Sequence, residues 1–194
     1  PAFTFGTDEL NGIWVGKFEM TGTAIAPTIL PGIESLYANA GTSTAPQSYT
    51  GENSTISGMH NATKNNLTTL AQDTSLTGIG DYFKVSLKFS GGTQSGSTVS
   101  FTGSSTYGLT ANTNSHMMKN SEWGAVAYLS HSSYGINGEI RINNNSAKLT
   151  GCGAATSSTT SAVSTCTLAY GSGISEYPQS TTGNISGIFD MSGG

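Results

Sequence analysis

Charge is what this sequence has least of. Only 9% of its 194 residues are Asp, Glu, Lys or Arg, against about a quarter in an average soluble domain. Seven Lys and Arg against eleven Asp and Glu leave a net charge of −4. That is too few cations to form the basic stripe that phosphate neutralisation requires, so nucleic acid is excluded as a partner. No apolar run approaches the roughly 18 to 20 residues that cross a bilayer, and no signal-peptide apolar region is visible, so no membrane span is expected within this chain. No G-x-S-x-G elbow occurs to suggest a hydrolase, and no internal repeat is present. The histidines His60, His116 and His131 stand singly, a pattern of surface or capping residues rather than of ligands or bases.

Cysteine is nearly absent as well. Cys152 and Cys166 flank thirteen residues of a Ser/Thr/Ala tract with almost no core-forming content. Closing that loop would constrain the unfolded chain by about 3 kcal/mol in the chain-entropy picture. A disulfide is the preferred reading, with two free thiols in a mobile loop as the alternative. Two cysteines without neighbouring His do not supply a tetrahedral metal site.

What the chain has instead is hydroxyl and amide. Ser and Thr make up more than a quarter of it, a surface solvated by neutral polar groups, common in secreted and virion-surface proteins. The length suits one domain spanning 1–194. With Pro1 at its start the chain reads as processed. Sequons stand at Asn53, Asn61, Asn66, Asn144 and Asn184, several of them expected by chance in so Asn-, Ser- and Thr-rich a chain.

Along the chain, Phe3–Phe5 and Ile13–Glu19 read as opening strands of a hairpin around the turn-rich Asp8–Gly12. Short helices are expected at Ile33–Ala40 and Ile56–Ala71. Tyr82–Phe89 alternates, with Phe83, Val85, Leu87 and Phe89 on one face, and predicts a strand paired to Val99–Thr102 through a Gly/Ser/Thr turn. Asn120–Ser130 is the clearest helix: Asn120 or Ser121 caps it, Glu122 faces the positive dipole end, and Trp123, Val126 and Ala127 share a face. Glu139–Ile142 predicts a strand, and Thr150–Gly173 a low-complexity surface loop.

Three segments resemble one family. Thr182-Gly183-Asn184-Ile185-Ser186-Gly187-Ile188-Phe189-Asp190-Met191-Ser192-Gly193-Gly194 resembles the N-x-x-G-L-Y-D-M-x-G-N-V-W-E-W signature of the formylglycine-generating-enzyme-like (sulfatase-modifying factor) branch of the C-type-lectin fold. Leu10–Thr21, with Trp14-Val15-Gly16-Lys17-Phe18-Glu19, looks like the opening F-W-I-G-K-Y-E-V-T strand. Met117–Tyr128, with Glu122-Trp123, looks like the L-P-T-E-A-E-W-E-Y-A-A helix. The wording is also similar to surface or pilin-like proteins of gut Firmicutes and Mollicutes-like bacteria and to related phage proteins.

The resemblance implies an α+β, C-type-lectin-like domain with long polar loops, an inserted β-hairpin over 80–108, and a C-terminus that stops before the family's aromatic core strand. It also implies that Trp14, Phe18, Trp123, Val126 and Phe189 share one core, and that Asp190 fixes a turn by accepting backbone hydrogen bonds. The family's catalytic cysteines lie near the end of the domain, whereas Cys152 and Cys166 precede the G-I-F-D-M motif, so no oxidase and no catalytic residue is expected. Calcium occurs in some relatives, but Asn143, Asn144, Asn145 and Asp190 lack the carboxylate density of tight calcium sites, so the expectation is no cofactor or metal, with calcium as the alternative. The functional expectation is a non-enzymatic extracellular protein of a bacterial cell, pilus or phage particle, adhering to a receptor or glycan. The alternative is a structural pilin-like or virion subunit that contacts copies of itself.

Overall fold

The structure, a computed structural model, describes residues 3–5, 7–22, 26–33, 35, 79–95, 97–147, 149–154, 161, 166–173 and 178–191. Their content is α+β: two α-helices and four two-stranded antiparallel sheets among the described residues. Strands β1 (Phe3–Phe5) and β2 (Asp8–Leu10) pair in the register Phe3 to Leu10. The opening hairpin is therefore tighter than the sequence suggested, and Asp8–Leu10, read as turn, is its second strand. Ile13–Glu19 is in no ladder; a bend at Lys17–Phe18 interrupts it. Strands β3 (Thr21–Gly22) and β4 (Pro27–Thr28) make a second small pair. The helix expected at Ile56–Ala71 lies outside the described residues, as does most of that at Ile33–Ala40.

Tyr82–Phe89 is helical, not a strand. Helix α1 spans Ile79–Leu87, and a 3-10 turn at Lys88–Ser90 ends it on Gly91, left-handed at φ 67°. A side chain is strained in that conformation, and a Cβ there would sit 2.5 Å from the Gly103 carbonyl oxygen. Gly91 and Gly92 thus stop a helix, where the sequence reading spent them on a hairpin turn. Alternation across eight residues could not separate the two, because Lys84, Val85, Ser86 and Leu87 are all buried. The hairpin of this region lies further on, between β5 (Thr93–Ser95) and β6 (Thr98–Ser100).

Helix α2 (Asn120–His131) matches the sequence expectation closely in extent. Its buried stripe is Glu122, Val126 and Ser130, four residues apart, which leaves Trp123 a quarter-turn round the helix and half exposed. Its N-cap is Lys119, whose backbone N–H donates to the Glu122 carboxylate at 2.8 Å. This is one half of a capping box, with Glu at the third helical position.

Strands β7 (Cys152–Gly153) and β8 (Leu168–Ala169) pair across the disulfide Cys152–Cys166. The segment expected to be surface loop therefore begins inside the protein: Thr150, Cys152 and Ala154 are buried. Much of what is buried is polar, including Thr21, Ser90, Thr150, Gln179, Ser180 and Thr181. Hydroxyls knit these positions to the backbone. Thr150 Oγ1 donates to the carbonyls of Leu30 and Ile33, Ser115 Oγ to that of Leu87, and Ser180 Oγ to that of Asn184. A low-charge, Ser/Thr-rich sequence builds an interior in this way because a buried hydroxyl is tolerated only when bonded.

Candidate functional site

The candidate site lies where residues 17–19 meet residues 188–190. Phe189 donates its backbone N–H to the Lys17 carbonyl at 2.8 Å, and Thr181 and Ile188 bond through the Thr181 N–H and Ile188 carbonyl at 3.0 Å. The edge at Ile188–Phe189 takes its backbone partners, Thr181 and Lys17, from this chain. Around that seam three rings meet edge to face or tilted: Phe18 to Tyr170 at 4.9 Å, Phe18 to Phe189 at 5.4 Å and Tyr170 to Phe189 at 5.2 Å. The Lys17 ammonium lies 5.1 Å from the Tyr170 centroid and donates to its hydroxyl at 3.3 Å. Such aromatic pairs add about 0.5–1.5 kcal/mol beyond the area they bury.

Next to Phe18 and Phe189 along the chain stand two half-buried carboxyl groups, Glu19 and Asp190. Asp190 accepts the Gly151 N–H on both oxygens, at 2.9 and 3.0 Å, the Asn143 amide at 2.9 Å, and the backbone N–H of Glu19. Its own backbone is left-handed, φ 59°, a conformation Asp tolerates better than most side chains. Burial pushes the Asp190 carboxyl above its ordinary range, with the Gly151, Asn143 and Glu19 donors acting the other way. Glu19, bonded to the Ser35 side chain, is pushed up to about 7, first by burial and then by the neighbouring charge of Asp190. Gly151 stands between: a Cβ on it would lie 3.0 Å from the Phe18 ring and 3.0 Å from Tyr170 Cβ, at a φ of 64°.

Asn143 turns its amide nitrogen, not its oxygen, to Asp190, and gives the same group to the Leu149 carbonyl at 3.0 Å. It spends donors where a cation would need acceptors. Among the described residues no group of three or more His, Cys, Asp or Glu could hold a metal ion.

A buried carboxyl sits at the start of α2. Glu122 accepts from Lys119 N–H, lies 3.1 and 3.2 Å from His116 Nε2, and has the Lys119 ammonium 3.8 Å away. Burial alone would raise it. The Lys119 N–H, the His116 ring and the Lys119 charge outweigh that and hold it below the usual carboxylate range. His116 is thus engaged with Glu122 and, through Nδ1, with the Asn114 carbonyl at 3.3 Å, and is not the isolated residue its sequence context suggested. His131 ends α2, and His60 lies outside the described residues.

Of the five residues expected in one core, Phe18 and Phe189 pack together and Val126 is buried on α2. Trp14 is fully exposed and Trp123 half exposed, so neither enters it. The bend at Lys17–Phe18 breaks the strand parity that would have aligned Trp14 with Phe18. Tyr170, assigned to a loop, supplies the third ring. Glu19 and Gly151 were missed as well; the one local sign was an acidic residue beside an aromatic in Lys17-Phe18-Glu19. No helix among the described residues is long and apolar enough to cross a membrane. No family model, curated protein or solved structure matches this chain.

Proposed function

We propose that this chain is a non-enzymatic extracellular binding protein, with a C-type-lectin-like domain of the formylglycine-generating-enzyme-like branch, displayed on a bacterial cell, pilus or phage particle and adhering to a receptor or glycan. The observation that carries the reading is a set of large rings held in water on a nearly uncharged chain: Trp14 at 102% exposure, Tyr134 at 83%, Tyr128 at 79% and Trp123 at 50%. Exposed aromatic side chains offer broad, rigid contact area at low entropic cost, and few charges compete with neutral ligands for that surface. The fold assignment draws support from the seam joining the Lys17-Phe18-Glu19 and Gly187–Met191 motifs through Phe189 N–H and Asp190. The extracellular assignment draws support from the Cys152–Cys166 disulfide, a bond that persists in oxidising compartments.

The test is binding of labelled protein to a glycan array and to intact bacterial cells, beside the variants Trp14→Ala, Tyr128→Ala and Tyr134→Ala. At least one variant loses tenfold or more in binding while its melting temperature is unchanged. Equal binding by all three overturns the role of these rings. Absence of binding, together with concentration-dependent self-association in sedimentation, replaces the adhesin with the structural-subunit alternative.

A further inference from the structure

Asparagine is followed directly by glycine twice in the chain, at Asn11-Gly12 and Asn137-Gly138, and the fold treats the two unequally. Asn11 and Gly12 are both exposed, just beyond the end of β2. A Cβ on Gly12 would meet no atom within 4 Å, and among the described residues neither the Gly12 N–H nor the Asn11 side chain makes a hydrogen bond. With no side chain on Gly12, the backbone there turns without steric resistance. Gly138 also faces open space, but its N–H donates to the Ser130 carbonyl at 3.2 Å, and Asn137 is held left-handed at φ 57°.

We propose that Asn11 is a site of spontaneous modification, at which water converts its amide to a carboxylate through a cyclic imide, while the fold protects Asn137. The Gly12 nitrogen gives its proton to solvent and attacks Asn11 Cγ. The bond from Cγ to the side-chain nitrogen breaks, and that nitrogen leaves as ammonia. Water then adds to one of the two imide carbonyls, and the ring bond between that carbonyl and the Gly12 nitrogen breaks. Attack at Cγ restores an ordinary chain with aspartate at position 11. Attack at the Asn11 backbone carbonyl leaves isoaspartate, with the chain running on through the former side chain. Neither path needs an oxidant or a cofactor. Either product takes the net charge from −4 to −5, and the new carboxylate stands three residues before the fully exposed Trp14. At position 137 the same attack requires the Gly138 N–H to leave the Ser130 carbonyl first, so that bond is the protecting device.

Incubation of the folded protein in mildly alkaline buffer tests it, with peptide mapping by mass spectrometry and enzymatic methylation of isoaspartyl carboxyls as readouts. Synthetic peptides covering residues 8–17 and 134–142 give the unrestrained rate at each asparagine. Folding is expected to slow Asn137, relative to its peptide, by about fivefold more than it slows Asn11, the factor that one net hydrogen bond supplies. Asn11→Gln abolishes the acidic form that appears first on isoelectric focusing. Slowing at Asn11 equal to or greater than that at Asn137 overturns the proposal, as does an Asn11 that stays intact while its peptide converts. Both of these outcomes are read on the wild type, so they hold even where Asn11→Gln fails to fold. An early acidic form that persists in a folded Asn11→Gln variant also overturns it, by placing the new charge elsewhere.

Discussion

Glu19 and Glu122 are the same side chain, Glu122 buried and Glu19 half-buried, and their surroundings shift them in opposite directions. Glu122 meets a backbone N–H, an imidazole and an ammonium, and stays below the usual carboxylate range against the cost of burial. Glu19 meets one hydroxyl and another carboxyl, and is pushed up to about 7. The difference teaches that burial only sets the stakes. The donors that the neighbouring chain brings within reach decide whether a buried acid is a fixed cap or a proton store. At α2 those donors are local, within six residues of Glu122. At the seam they come from segments far apart in sequence.

The comparison breaks most visibly at the rings. Phe189→Ala removes the centre of the seam, where the side chain is 2% exposed, and is expected to cost about 3–5 kcal/mol as a large-to-small core change. Urea unfolding measures it. A cost under about 1 kcal/mol would mean the seam is not a core.

Next comes Glu122→Ala, which leaves the Lys119 N–H and His116 facing an empty place and is expected to cost about 2–3 kcal/mol at neutral pH. Since Glu122 is depressed in the folded protein, its contribution is complete above its unfolded value of about 4.5 and is lost as pH falls through the folded value. Variant and wild type should therefore converge in stability in strong acid.

Glu19→Gln has the reverse sign. A carboxyl raised on folding stabilises fully below its unfolded value, and that contribution is lost as pH rises through about 7. At pH 8 the variant should accordingly be more stable than the wild type, by at most about 3 kcal/mol and by less to the extent that water screens the half-buried Glu19, with the difference vanishing near pH 4. A variant less stable at pH 8 would show that the Glu19 charge is favourable where it sits. Smallest of all, Trp14→Ala and Trp123→Ala should change stability by no more than about 0.5 kcal/mol and about 1 kcal/mol, because fully and half exposed side chains lose little on truncation.

The α2 region was legible because its signals are local. An acidic residue in the first turn and helix-compatible spacing lie within a dozen residues, and the helix ends one residue from its expected limit, although its N-cap is Lys119 and not the expected Asn120 or Ser121. The orientation of its face was not legible, because the stripe Glu122, Val126 and Ser130 buries polar groups that only their partners make acceptable. The disulfide could be read from two cysteines around a coreless loop. The seam could be read only in its motifs. Nothing in Lys17-Phe18-Glu19 announces Tyr170 or Gly151, since a ring packs on whatever the distant chain delivers. In Tyr82–Phe89 the alternation was real but the period was wrong, and the glycines that end the helix at Gly91 looked equally like a turn.

The most direct test is a side-chain carboxyl titration by NMR on one folded sample, following Glu19 and Glu122 together. The account predicts a midpoint about 7 for Glu19 and one below the ordinary value of 4.5 for Glu122, with the Phe189 amide shifting in step with Glu19 alone. Midpoints for both near 4.5, or a Phe189 amide that follows Glu122 instead, would contradict it.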